Sequence, residues 1–282
     1  MSIQSIGIIG AGTMGNGIAQ ACATSGINVV MIDINEAAVN KGINTISSSL
    51  DRLIKKEKIS ENDKLASMAR IKGSTSYEDL KGLHMVIEAA TENYDIKVKI
   101  LKQIDSLVSK DTIIATNTSS ISITQLAATI SNSERFIGMH FFNPVPMMAL
   151  VEIIRGLQTS DATHTLVQTM ATTLGKQPIT VNNAPGFVVN RILVPMINEA
   201  FFVLAEGLAT PEDIDAGMKL GCNHPIGPLA LADMIGLDTC LAVMEVYFNS
   251  FNDSKYRPCP LLREMVAAGY LGRKTGRGVY HY

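Results

Sequence analysis

The chain is 282 residues long, carries 24 Lys and Arg against 26 Asp and Glu, and is 46% hydrophobic but only 18% charged. At ~150 residues per domain this length suggests about two domains, and the composition excludes an intrinsically disordered chain, which needs low hydrophobicity and high net charge. A net charge of −2 without a basic stripe also argues against a nucleic-acid binder.

Residues 5–9, Ser-Ile-Gly-Ile-Ile, form a short apolar run that ends at Gly10, the pattern of a strand buried on both faces. Gly10-Ala11-Gly12-Thr13-Met14-Gly15 follows, a match to G-x-G-x-x-G, and the spacing predicts a helix over 13–25 stopped by Gly26. Residues 29–32 read as a second strand with Asp33 at its end, 23 residues beyond Gly10. That is close to the roughly 20 of a dinucleotide-binding fingerprint. The first glycine makes a tight turn, the second lets the backbone approach a pyrophosphate, and the third lets helix and strand pack closely. The helix N-terminus favours the negative charge. Asp33 can accept hydrogen bonds from an adenosine ribose and would repel a 2′-phosphate, so the expected cofactor is NAD rather than NADP. A glycine turn alone would mean little. Strand, glycines, helix, strand and acid in this order are specific.

Over 35–56, Val39, Ile43, Ile46, Leu50 and Leu53 recur at steps of three and four, a stripe on one long helix. Its end is basic, with Arg52, Lys55, Lys56 and Lys58. These charges either complement a helix C-terminus or clamp phosphate oxygens. From the sequence alone the first reading is slightly ahead, and a helical excursion at 35–70 inside a Rossmann-type domain, being unusual, raises the second. Strand patterns then recur at 70–74, 85–89, 113–116, 136–141, 150–154 and 178–181, with helical patterns at 94–108, 122–130 and 161–174. This alternation predicts an α/β fold with a doubly wound, mainly parallel sheet. Its ligands should lie beyond the carboxyl ends of the strands, where Glu92, Asn117, Ser119 and His140 fall.

Beyond residue 184 the strand signal stops. Helices are predicted over 187–205, from the Thr210-Pro211 start to Gly221, over 228–251 and over 260–268. The boundary therefore falls between a cofactor domain at 1–184 and an all-helical domain at 185–282. The 187–205 helix is apolar nearly all round, which predicts burial against its own domain or a second subunit.

Cysteines at 22, 222, 240 and 259 form no C-x-x-C pair, so neither a disulfide framework nor a zinc site is expected, and no metal. The N-terminus enters a strand pattern at once, without a leader signal. The longest uncharged stretch, 112–133, is too rich in Ser, Thr, Asn and Gln to span a membrane. A cytoplasmic location is expected. Among five histidines, 84, 164 and 281 read as structural or surface residues. His140 ends a predicted strand in Gly138-Met139-His140-Phe141-Phe142-Asn143-Pro144, and Glu152 follows 12 residues later on the next. A hairpin return would pair them as an acid/base device for alcohol–ketone interconversion; otherwise His140 is a core histidine.

The Gly10–Gly15 motif with Asp33 combines with Glu88-Ala89-Ala90-Thr91-Glu92, Asn117-Thr118-Ser119-Ser120, the His140 block, Pro185-Gly186-Phe187-Val188-Val189-Asn190-Arg191 and Gly272-Arg273-Lys274-Thr275-Gly276-Arg277-Gly278-Val279-Tyr280. Together they resemble the 3-hydroxyacyl-CoA dehydrogenase family over essentially residues 3–282. The resemblance implies a helical C-terminal domain like that of 6-phosphogluconate dehydrogenase, which binds substrate and forms a homodimer. It implies His140 as general acid/base, Glu152 as its orienting partner, and Ser119 and Asn190 on the substrate. Asn143 would support the His140–Glu152 pair beside the cofactor. Glu92, Lys97 and Asn117 would contact the nicotinamide half of NAD, next to Gly10, Gly12, Thr13, Met14, Gly15 and Asp33. Ser49, Arg52 and Lys56 would meet CoA phosphates of an acyl-CoA substrate. A stand-alone chain of this size suits a short acyl group, with S configuration at C3. Two alternatives stay open: a dehydrogenase of free 3-hydroxy acids or sugar acids, and a non-catalytic NAD-binding structural protein.

Overall fold

A computed structural model describes residues 3–282, and the chain divides after Ala184 into two compact units. In the first, strands β1 (Ser5–Ile9), β2 (Asn28–Ile32), β3 (Ile71–Ser74), β4 (Met85–Glu88), β5 (Ile113–Thr116), β6 (Phe136–Phe141), β7 (Leu150–Arg155) and β8 (Gln177–Asn182) form one sheet. Their order is β3-β2-β1-β4-β5-β6-β7-β8. The first six run parallel; β7 turns back antiparallel to β6, and β8 follows β7 in parallel. β4, β5 and β6 are buried along their whole lengths, as mainly apolar strands covered on both faces must be, with the polar Glu88, Thr116 and His140 at their carboxyl ends.

Helices α1 (Thr13–Thr24), α2 (Glu36–Lys55), α3 (Glu61–Met68), α4 (Tyr94–Leu107), α5 (Ile123–Ala127) and α6 (Asp161–Thr173) join these strands. One core lies on the face formed by Ile6, Ile8, Val29, Met31, Met85, Ile87, Ala115, Ile137 and Met139, against Ile18 and Cys22 of α1 and Val167 and Met170 of α6. The stripe on α2 buries Ile46 and Leu50 there, and Val39 is buried beside Gly73 of β3. The helix expected over 122–130 is only Ile123–Ala127. Its continuation is diverted because Asp105 takes both the backbone N–H and the hydroxyl of Ser131.

The second unit contains α7 (Val189–Ala205), α8 (Pro211–Gly221), α9 (Pro228–Ile235), α10 (Leu237–Phe251) and α11 (Pro260–Ala267). Ile197, Phe201, Leu229, Ala232, Leu237, Cys240, Cys259 and Leu262 form its core. Two of the polar residues that interrupt the α7 run, Asn198 and Arg191, have partners in the fold. Asn198 donates to Arg257 O and accepts from the Cys259 N–H, and Arg191 lays its guanidinium 3.8 Å from the Phe251 ring centroid. α7 starts two residues later than expected, since Phe187 has φ +52°. It also leaves Ile192 67% exposed within the chain, so its apolar surface is not all buried there.

The single helix expected over 228–251 is two helices. Gly236 separates them at φ +104°, ψ +124°, a conformation open to glycine, and the Leu237 N–H turns away to Leu271 O. Asp233 of α9 then holds the C-terminal segment, accepting from the N–H groups of Val279 and Tyr280 and from the Tyr282 hydroxyl. Among the described residues no helix is long and apolar enough to cross a membrane.

Candidate active site

In the first unit, the carboxyl ends of β1, β2, β4, β5 and β6 lie along one edge of the sheet, because those strands are parallel. The glycine turn leaves β1 at this edge. Gly10 sits at φ +100°, and a Cβ there would come within 2.8 Å of Ala89 O. A Cβ on Gly15 would stand 1.8 Å from Gly10 O, whereas one on Gly12 would meet nothing within 4 Å. Gly12 is the N-cap of α1 and brings no side chain to it, and the first turn, which includes Thr13 and Met14, carries no acid. The helix dipole and first-turn N–H groups thus suit an anion. Asp33, at the end of β2, accepts from the Ala11 N–H at 2.7 Å and the Ile34 N–H at 2.7 Å, so the acid also braces the turn.

His140 and Glu152 are direct partners across β6 and β7. The His140 Nδ1–H donates to Glu152 Oε2 at 2.7 Å, and both side chains are buried. A carboxylate accepts only, so this contact puts the ring proton on Nδ1 and leaves Nε2 as the proton-exchanging atom. Ser119, three residues past β5, holds its hydroxyl 3.2 Å from Nε2. Phe142 lies with its ring centroid 4.6 Å from that of His140. Asn117 accepts from the Phe141 N–H at 2.9 Å and so ties the end of β5 to the end of β6. Asn143 is exposed in the connection that follows β6. Lys176 donates to Val145 O at 2.5 Å and Met148 O at 2.8 Å in that connection, and burial holds its pKa below the usual lysine value.

Glu92 follows β4 and reaches across to the β5 loop, where it accepts from the Thr118 hydroxyl at 2.6 Å and the Ser119 N–H at 2.9 Å. Lys97 comes from the first turn of α4. It is fully buried, its ammonium donating to Glu88 and to Thr116 Oγ1, while Glu88 also accepts from the Ala90 N–H at 2.9 Å. A charge buried at the sheet needs such partners, and these two fix the ammonium at the carboxyl ends of β4 and β5. Glu88 was visible in the sequence only as part of a motif; its pairing with Lys97 depends on the first turns of α4 lying over β4.

Ser49, Arg52 and Lys56 lie along one side of α2 and its C-cap, with Arg52 and Lys56 exposed and Ser49 half-buried. Asn190 is the second residue of α7 in the C-terminal unit. Thiol chemistry is disfavoured at Cys22 and Cys240, where burial pushes the pKa up to about 12.

Two family models cover nearly the whole chain: the NAD-binding domain of 3-hydroxyacyl-CoA dehydrogenase matches residues 5–184, and its C-terminal domain matches residues 186–282. The chain belongs to the 3-hydroxyacyl-CoA dehydrogenase family. A probable 3-hydroxybutyryl-CoA dehydrogenase of Bacillus subtilis is 50% identical over 282 residues, covering 100% of this chain and 98% of its own. A 3-hydroxybutyryl-CoA dehydrogenase of Bradyrhizobium diazoefficiens is 49% identical over 280 residues, 99% of this chain and 96% of its own. The crystal structure of (S)-3-hydroxybutyryl-CoA dehydrogenase from Ralstonia eutropha matches with a TM-score of 0.99 and 74% identity, covering 100% of this chain and 99% of that one. As a member of this family the chain is an NAD-dependent dehydrogenase, and the glycine turn and Asp33 suit that cofactor: the space beside Gly12 is open where a pyrophosphate would approach.

Proposed function

We propose that this dehydrogenase is specific for the short (S)-3-hydroxybutyryl-CoA/acetoacetyl-CoA pair, exchanging a hydride reversibly with NAD(H). The observation that carries the mechanism is the Glu152–His140–Ser119 chain at the carboxyl edge of the sheet. When bound, NADH supplies the hydride for the 3-keto carbon. His140 then holds the proton at Nε2 that the 3-oxygen needs, with Glu152 fixing the ring through Nδ1. Ser119 donates to the same oxygen or to the thioester carbonyl, and Asn190 helps to hold the substrate. Gly10, Gly12, Thr13, Met14, Gly15 and Asp33 receive the adenosine and pyrophosphate half of the cofactor, with Asn117, Asn143 and Glu92 at its nicotinamide half. Ser49, Arg52 and Lys56 meet the CoA phosphates. The domain roles follow: cofactor on 1–184, substrate and homodimer contacts on 185–282. The four unpaired cysteines fit a reducing cytoplasm.

Names borne by relatives at 49–50% identity support the acyl-CoA class. The geometry supports proton transfer at His140. An NADH-oxidation assay with acetoacetyl-CoA, longer 3-ketoacyl-CoAs and free acetoacetate tests the reading. Acetoacetyl-CoA should be used best and free acetoacetate hardly at all. His140→Ala should cut kcat by about 10²- to 10⁴-fold, the usual worth of a general acid, with NADH affinity little changed. Turnover of free acetoacetate matching that of its CoA ester would refute the substrate assignment. Near-normal turnover by the variant would refute the role of His140.

A further inference from the structure

Ser119 stands on a loop, and a loop residue reaches a reactive geometry only if something fixes its backbone. Two strand ends supply what is needed. Glu92 lies four residues past β4 and Ser119 three past β5, and these strands are neighbours in the sheet. Both oxygens of the Glu92 carboxylate are engaged on that loop: Oε2 accepts from the Thr118 hydroxyl at 2.6 Å, and Oε1 from the Ser119 N–H at 2.9 Å. Thr118 passes the constraint on, since its oxygen accepts the Ser120 N–H at 3.4 Å and the Ile121 N–H at 3.1 Å. Glu92 is itself held at a rigid start. The next residue, Asn93, donates its N–H to Thr91 Oγ1 and caps α4 through the Ile96 N–H.

We propose that Glu92 is a positioning residue that fixes the Ser119 backbone so that the Ser119 hydroxyl meets His140 Nε2. This rests on the reading of Ser119 and His140 given above, and it assigns Glu92 a task distinct from contact with the nicotinamide. Hydrogen bonds to a carboxylate are roughly twice as strong as neutral ones, and two of them converge on consecutive residues. A small misplacement of a group bonded to the acid/base is costly in rate. Glu92 therefore acts through Ser119 and moves no proton itself.

A double-mutant cycle on the full chain tests this, with Glu92→Ala, Ser119→Ala and the double variant compared for kcat, for kcat/KM with acetoacetyl-CoA, and for KM of NADH. Glu92→Ala should lower kcat about 10- to 100-fold at saturating NADH, on top of any rise in KM for NADH that losing a contact with the nicotinamide half brings. In the Ser119→Ala background the same substitution should cost less than about threefold more. Glu92→Gln should recover most of the loss, since its amide oxygen still accepts the Ser119 N–H. Losses that multiply in the double variant, or a Glu92→Ala effect confined to KM for NADH, would overturn the proposal.

A second readout needs no turnover. The ¹⁵N chemical shift of His140 Nε2 should move in the same direction in Glu92→Ala and in Ser119→Ala. An unmoved shift in Glu92→Ala beside a moved one in Ser119→Ala would also overturn it. If Ser119→Ala leaves kcat at the wild-type value, the catalytic role given to Ser119 fails, while the ¹⁵N comparison still decides whether Glu92 holds it.

Discussion

Gly10, Gly12 and Gly15 share one turn and one motif, yet their surroundings differ. Gly15 is pressed against a carbonyl of the same turn, and Gly10 needs a positive φ beside Ala89; Gly12 faces open space. A side chain on Gly15 must displace backbone, and Gly15→Ala should fail to give a stably folded first unit. Gly12→Ala meets no such obstacle and should keep its unfolding free energy within about 0.5 kcal/mol of wild type, as surface changes usually do. Its added methyl group would occupy the place where a pyrophosphate approaches, so KM for NADH should rise severalfold. Urea unfolding together with NADH titration of the two variants separates these effects. A Gly12→Ala protein with unaltered NADH binding would contradict the assignment of this turn to the cofactor.

At the scale of elements, the end of the chain is tied to α9 by one buried side chain. Asp233 serves two backbone N–H groups and a tyrosine hydroxyl of residues 279–282. Asp233→Ala leaves these donors without their acceptor, at about 1–3 kcal/mol for each group that stays buried. The variant should lose about 2–4 kcal/mol in urea unfolding, and residues 272–282 should become sensitive to protease. Unchanged stability would show that water replaces the carboxylate. None of this tie is legible in the sequence, where Asp233 is one polar residue in an apolar run. The same limit explains Gly236: the apolar periodicity continues through it, and only the distant Leu271 carbonyl, which takes the Leu237 N–H, exposes the break. Strands were legible to within a residue or two, because runs such as 113–116 and 136–141 are bounded by polar turns and buried on both faces. The His140–Glu152 pair was legible because a short return joins neighbouring strands. The Glu92–Ser119 contact spans 27 residues and two strand ends, and the Lys97–Glu88 pair needs the angle at which α4 packs. Neither leaves a local pattern.

For the whole molecule, the helical unit leaves several large apolar side chains exposed. Ile192 is 67% exposed, Leu208 75% and Leu220 87%. Large apolar side chains exposed in this way are what a subunit contact covers, and they support the homodimer proposed above. Sedimentation velocity should give a particle of twice the chain mass of 30.3 kDa. Ile192→Glu should shift the equilibrium toward single chains, and a wild-type protein that sediments as a monomer would dispose of the idea.

The pairing of β6 with β7 has a consequence for how this protein can change. Successive residues of a strand face opposite sides, so a slip of one residue would set His140 across from Val151 or Ile153 and turn the carboxylate to the wrong side. An insertion or deletion within either strand would destroy the proton-handling pair in one step. The connection at 142–149 lies outside the ladder, and Lys176 pins it through Val145 O and Met148 O, so the return that sets this register is itself held in place. Length changes among descendants of this sequence should therefore be absent from both strands, which tolerate substitution only.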